Sequence, residues 1–190
     1  MHLDKDAFSS GQVGSKIWLV QSLEDVIKDL NLRGLFTQPL KVMIIGGWYG
    51  ITNFILQSRN QIQIDFVRSV DIDQKACENA DLINENWVWQ NWKFKSLCQD
   101  ANNTEYFDFD VIINSSVEHI PTLHWWENIP ENKLVILQSN DMIHDDHVYN
   151  HPTIDQFSND FELSQTLFLS SKTFDYGNWQ FTRFMKIGIK

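Results

Sequence analysis

The sequence predicts an α/β fold: a doubly wound, mostly parallel sheet with helices on both faces, closed by an antiparallel hairpin at the C-terminus. Three observations predict it. Short, wholly apolar runs recur at intervals of roughly 25 residues, as strands buried on both faces of a parallel sheet do. Segments with helical spacing of apolar residues lie between them. Near the C-terminus the rhythm breaks, and two long β-patterned runs follow one another across a turn.

The elements follow in order. Residues 1–39 form a lead-in. In it Ser9, Ser10, Gly11 and Gly14 read as a loop, and Leu19, Leu23, Val26, Ile27 and Leu30 give a helix over residues 15–30. From Lys41 the run VMII, ending at Gly46-Gly47, is the first strand. ITNFILQ is then a helix that buries Phe54, Ile55 or their neighbours. IDFVRSVD is the second strand, and DQKACENADLINEN a helix entered through Asp73 as its cap. WKFKSL is the third strand, residues 109–113 the fourth and residues 134–137 the fifth. ELSQTLFLS and WQFTRFMKIGI, joined through Asp175-Tyr176-Gly177, form the closing hairpin. No repeat or linker divides residues 40–190, so they form one domain.

Composition narrows the function. A hydrophobic share of 43% sustains a core, and eight Trp with thirteen Phe make it aromatic. A net charge of −10 with no basic cluster speaks against a nucleic-acid binder, because phosphate neutralisation supplies most of that affinity. It suits a small-molecule or protein substrate. No apolar run is long enough to span a membrane, and MHLDKDAF has neither a basic start nor an apolar stretch, so no signal peptide is expected. Cys77 and Cys98 fall in a helix and at a strand end, where reduced thiols in a cytoplasm are the simpler reading.

Ligands of an open α/β sheet bind at the carboxyl ends of its strands, near the point where strand order reverses. The residues that follow each strand therefore decide the function. After the first stand Gly46, Gly47, Trp48, Tyr49 and Gly50, a turn that lets backbone approach a ligand beside a helix N-terminus. After the second stand Asp71 and Ile72, an acidic end suited to a ribose diol. Asp100 and Ala101 follow the third, and Asn114, Ser115, Ser116, Val117, Glu118 and His119 the fourth. A dinucleotide fingerprint is not met, since the glycines at 46, 47 and 50 lack its spacing, and no GK[ST] completes a P-loop.

In this order and spacing the ends resemble the class I, Rossmann-like methyltransferases that use S-adenosylmethionine (SAM), over residues 40–190. IIGGWYG lies where that family has its glycine-rich SAM loop, with Gly46 and Gly50 on the expected glycines. The resemblance implies that Asp71 holds the ribose of SAM, and that Asp100 and Ala101 meet the adenine. FDVIINSSVEHI resembles the family's fourth strand and the loop after it, where Glu-His and an aliphatic residue recur. The terminal hairpin resembles the pair that ends the family's sheet. Two positions depart from the pattern. Ile44 replaces an acidic residue that often holds the amino-acid part of SAM, and Trp48 replaces the middle glycine.

SAM carries an electrophilic methyl group, so the protein's main task is to align a nucleophile with it. Glu118 and His119 are expected to line the transfer side, with His119 as base because an imidazole titrates near ~6.5. In a purely structural role Glu118 would cap the next helix and His119 would pack on Trp125. Residues 9–18, 122–130 and 140–152 are the expected substrate determinants, and Trp125 and Trp126 offer an aromatic wall, although neighbours on a helix point apart and one should be core. His144, Asp145, Asp146, His147 and His151 read as a solvated loop near the cleft, and no metal is expected. Two further readings stay open: a SAM-fold module that binds or senses without turnover, and a polyamine-synthase-like transferase using decarboxylated SAM.

Overall fold

The computed structural model describes residues 4–89, 92–177 and 179–190; the first three residues of the lead-in fall outside that range. Among the described residues seven strands pair into one sheet: β1 (Leu40–Ile45), β2 (Ile64–Asp71), β3 (Phe94–Cys98), β4 (Val111–Asn114), β5 (Leu134–Asn140), β6 (Gln165–Asp175) and β7 (Gln180–Ile189). Their spatial order is β3-β2-β1-β4-β5-β7-β6. The first five run parallel, and β7 lies antiparallel between β5 and β6. The predicted doubly wound sheet with a closing hairpin is the fold observed.

Among the described residues six α-helices cover the faces: α1 (Ser10–Leu32), α2 (Ile51–Arg59), α3 (Gln74–Ile83), α4 (Glu85–Trp89), α5 (His124–Glu127) and α6 (Ile154–Asp160). Leu19, Leu23, Ile27 and Leu30 of α1, Leu56 of α2 and Ala80 of α3 pack against Val42, Ile44, Val67 and Ile113 on one face. On the other, Trp125 of α5 and Phe157 of α6 pack against Met43, Ile45, Ile112 and Val135. Alternate residues of β1 thus feed two cores, which is why its sequence is apolar throughout. No helix among the described residues is long and apolar enough to cross a membrane, and both Cys77 and Cys98 are free thiols.

Several boundaries differ from the sequence reading, each for a visible reason. The first helix begins at Ser10, where Ser9 caps it by accepting from Gln12 N at 3.3 Å. Gly11 and Gly14 belong to that helix rather than to a loop. They let it approach the hairpin, since a Cβ on Gly11 would stand 2.8 Å from Tyr176 Oη and one on Gly14 3.3 Å from a Phe174 ring carbon. Phe54 of α2 is not in the core but packs edge-on against Trp87 at 5.6 Å. Asn53 takes the inward place, because its Nδ2 donates to the buried Asn84 Oδ1 at 2.9 Å. The helix expected across residues 73–86 breaks at Asn84, whose Nδ2 donates to Ala80 O at 2.8 Å and Gly50 O at 3.2 Å. Asp73 caps α3 as read, accepting from Lys75 N and Ala76 N.

β4 starts two residues later than expected, at Val111, and β5 runs on to Asn140 through the buried polar triplet Gln138, Ser139 and Asn140. Each of the three has a partner that makes burial tolerable. Gln138 Oε1 accepts from Ser15 Oγ at 3.2 Å, Ser139 Oγ meets His151 Nδ1 at 2.6 Å, and Asn140 Nδ2 donates to Glu118 Oε1.

Trp125 is core and not cleft wall: it is fully buried between Trp126 and Phe161, with ring centroids 5.9 and 5.8 Å away. Its indole nitrogen is buried without a partner. Trp125→Ala is expected to cost about 3–5 kcal/mol of stability. Trp125→Phe should cost much less, because it keeps the ring contacts and removes an unpaired N–H. The urea midpoints of the two variants, compared at unchanged slope, check this.

Candidate functional site

Strand order reverses between β1 and β4: the chain leaves β1 toward β2 and β3, then returns to place β4 on the other side. The crevice past these strand ends is the place where such a sheet leaves room for a ligand. Four loops meet there. A Cβ on Gly46 would lie 3.8 Å from Ser116 Cβ, joining the turn after β1 to the loop after β4. Trp48 N donates to Asp71 Oδ2 at 2.8 Å, joining it to the end of β2. Gln99 N donates to Asp71 O at 2.8 Å, bringing in the end of β3.

The glycine turn is built on left-handed backbone. Gly46 has φ +60°, Gly50 has φ +70°, and Trp48, a residue for which this is uncommon, has φ +46°. The Trp48 ring stacks on Tyr49 at 5.1 Å with the planes 20° apart. Gly47 is fixed by space, since a Cβ there would fall 1.8 Å from Ser69 Oγ. Tyr49 Oη accepts from Asp4 N at 3.2 Å, and Ala7 packs with Tyr49, Ile51 and Ala76, so the N-terminal segment covers the turn.

The acidic ends are partly engaged. Asp71 is half-buried, with Oδ2 on Trp48 N and Oδ1 accepting from Asp73 N at 3.0 Å. A carboxylate has about four lone-pair sites, so two remain for other donors. Ile72 beside it is 78% exposed, an apolar face with no cover. Asp100 turns back on its own loop, accepting from Asn102 N at 2.8 Å and Asn102 Nδ2 at 3.0 Å, while Ala101 is buried beneath. Asn114 Oδ1 accepts from Ser116 N at 3.0 Å, and its Nδ2 is buried without a partner. Ser115 O accepts from Arg183 Nη1 at 3.3 Å. Ile44 points into the core beneath α1, so no carboxylate stands there.

Glu118 and His119 part company. Both lie in a 3-10 turn, Val117–His119, but Glu118 is buried and His119 is exposed. Glu118 Oε1 accepts from Asn140 Nδ2 and lies 3.9 Å from Arg183 Nη1, whereas Oε2 is buried without a donor. His119 packs edge-on against His147 with ring centroids 4.8 Å apart, not on Trp125. Neither residue caps α5, whose cap is Leu123 with no side-chain bond. His151, paired with His147 by spacing in the sequence, is instead buried against Phe157 and Phe161 and bonded to Ser139. Burial lowers the affinity of both His147 and His151 for a proton below that of an ordinary imidazole.

Sequence reasoning missed three residues that shape this region: Lys16, Asn140 and Arg183. Arg183, on β7, is buried, so desolvation works against its charge while Glu118 favours it. Lys16, on α1, is buried too and donates to Gln12 Oε1 at 2.7 Å. Burial first, and then Arg183, lower its pKa from 10.5 to about 7, against the opposite pull of Asp6 and Glu118. Lone cations in helical or alternating patterns look like solvated positions, and only the packing of α1 onto the hairpin shows otherwise.

No known sequence family matches the chain, and no curated protein matches it either. Solved structures do. Magnesium protoporphyrin IX methyltransferase from Synechocystis with bound SAM superposes with a TM-score of 0.62 at 14% identity, over 91% of this chain and 79% of that one. The YcgJ protein from Bacillus subtilis gives 0.60 at 12% identity, over 80% and 92%. Phosphoethanolamine N-methyltransferase 2 from Haemonchus contortus, in complex with SAM, gives 0.58 at 10% identity, over 99% of this chain and 59% of that one. The chain has the fold of the class I, Rossmann-like SAM-dependent methyltransferases, as the order of its sheet and its closing hairpin indicated.

Two outcomes follow from the geometry. Gly47→Ala is expected to destabilise the protein by about 1–3 kcal/mol, the ordinary cost of overpacking. Adding Ser69→Ala should return part of that loss in chemical denaturation, because it removes the nearest atom. The contribution of Lys16 to stability should also rise with pH between about 7 and 10.5, where the unfolded chain holds a Lys16 proton that the folded chain has released. It is lowest below that window. Lys16→Met should flatten the rise, as read from melting temperatures in buffers across the range.

Proposed function

We propose that this chain is a SAM-dependent methyltransferase acting on a small-molecule or protein acceptor. One observation carries the reading: four strand-end loops converge at the reversal of strand order, and Asp71 ties the glycine turn to the end of β2. The residues present fit the cofactor. The turn brings backbone to the cleft floor, Asp71 keeps acceptor sites for ribose hydroxyls, and exposed Ile72 offers an apolar face to the adenine. The partnerless Nδ2 of Asn114 is a donor for a polar group at the end of β4. Gly46, Gly47, Trp48, Tyr49, Gly50, Asp100, Ala101 and Ser115 complete the proposed cofactor side.

SAM, when bound, supplies a methyl group on a positively charged sulfur. The chain's own work is orientation and proton handling. Glu118, held by Asn140, fixes the turn that carries His119. His119 donates its Nδ1 proton to Asp146 O at 3.2 Å, which leaves Nε2 with a free lone pair on the acceptor side. The 3-10 turn Lys5–Phe8 and the start of α1, packed over the glycine turn, serve as the cover of the cleft.

A second reading has a specific observation behind it. Trp48 in left-handed backbone, with Ile44 where an acidic residue is common, suits a module of this fold that binds SAM without turnover. A polyamine-synthase-like transferase is the third, set apart by comparing SAM with its decarboxylated form. Titration calorimetry with SAM and S-adenosylhomocysteine tests the proposal. Micromolar binding is expected, weakened at least about tenfold by Asp71→Ala, roughly 1.4 kcal/mol. No binding of either compound removes the methyltransferase reading.

A further inference from the structure

After β5 the chain folds back over the loop that follows β4. Val148 N and Tyr149 N donate to Glu118 O at 2.9 and 3.3 Å, which seats His147 beside Glu118 and His119. One ligand atom from each of these three residues lies within 4.8 Å of the other two. Nothing in the sequence joins them, because the loop's own histidines draw attention to each other and to His151.

The hydrogen bonds around the cluster settle which atoms are free. His119 Nδ1 is 3.2 Å from Asp146 O, and His147 Nδ1 is 3.0 Å from Met142 O. A carbonyl oxygen only accepts, so each ring carries its proton on Nδ1 and keeps the Nε2 lone pair. Backbone carbonyls fix metal-binding imidazoles in this tautomer and orientation. The carboxylate of Glu118 tells the same story. Oε1 accepts from Asn140, while Oε2 is buried and has no donor. An unpaired charged oxygen in the interior is costly, and a cation placed against it removes that cost.

We propose that Glu118, His119 and His147 form a site for one divalent transition-metal ion. Two imidazoles and one carboxylate suit zinc, iron, cobalt or manganese and leave further positions open. Calcium and magnesium favour all-oxygen sets and fit less well. The use of the ion rests on the methyltransferase reading. In that reading an open position takes the acceptor, where a cation makes an acceptor hydroxyl a stronger acid. The lone pair of His119 then holds the ion, and the hydroxyl proton leaves to water.

The test uses full-length, tag-free protein stripped with chelator and titrated with zinc by calorimetry, with cobalt(II) absorption as a second readout. One zinc per chain is expected, weakened at least about tenfold by His119→Ala and by His147→Ala, within the range for lost metal-site contacts. His144→Ala, whose ring lies beside His147 but outside the set, should leave zinc affinity nearly unchanged. Both His119 and His147 sit at the surface side of the cluster, and circular dichroism establishes that each variant is folded. No stoichiometric uptake, or uptake that both variants keep, overturns the metal site. The same samples titrated with S-adenosylhomocysteine separate the two readings. Cofactor binding without zinc would remove the metal alone, and zinc without cofactor binding would leave a metal site on a protein that is no methyltransferase.

Discussion

The pairing of β1 with β2 on one side and β4 on the other is the constraint from which the candidate site follows. Parallel strands need crossovers; those from β1 to β2, β2 to β3 and β4 to β5 carry α-helices, and the return from β3 to β4 carries only the 3-10 turn Ala101–Asn103. Where successive crossovers diverge, no connection spans the carboxyl ends, and a crevice remains between the loops. β1 must therefore be buried on both sides, and Val42, Met43, Ile44 and Ile45 are all in the core. That burial also explains Ile44. A carboxylate at that point would sit in the apolar core that α1 and α2 cover, at a cost of several kcal/mol for an unpaired buried charge.

Around the crevice the protein keeps charged side chains inside, where such groups are seldom found. Lys16, Glu118 and Arg183 come from α1, the loop after β4 and β7, and each is less than a tenth exposed. Buried charges persist only where hydrogen bonds and opposite charge offset desolvation. Glu118 has Asn140 on one oxygen and Arg183 nearby, and Arg183 has Ser115 O and the ring of Phe181 at 5.6 Å. Lys16 has Gln12, and burial together with the nearby Arg183 pushes its ammonium down to about 7. The unequal satisfaction of these groups marks the region as one shaped for something other than stability, since a fully apolar filling would be cheaper.

How much of this was legible in the sequence depends on which signal carried it. VMII, LVIL and the closing β runs announced their strands because a strand buried on both faces needs little but apolar residues. The place of Gly46, Gly50 and Asp71 at the strand ends was readable because glycine and acidic residues directly follow apolar strand runs. The rest was hidden by tertiary partners. Gln138, Ser139 and Asn140 look like the end of a strand until Ser15, His151 and Glu118 are seen to satisfy them. Gly11 and Gly14 look like a loop because the hairpin that needs their missing side chains lies far along the chain. His147 gained its meaning from a fold-back held by two amides on one carbonyl, which no spacing encodes.

The lead-in helix shows how these levels join. Its apolar stripe of Leu19, Leu23, Ile27 and Leu30 packs in the same core as β1 and β4, so α1 is held to the sheet over most of its length. A fully buried aliphatic side chain contributes about 1.5–3 kcal/mol, and four of them fix the helix firmly. The N-terminal turn of α1 and the 3-10 turn before it inherit that position. They reach the glycine turn with little apolar area of their own, chiefly Ala7 and the bond from Asp4 N to Tyr49. Strong anchoring at one end and weak contacts at the other are what a cover needs if it is to open without unfolding the domain.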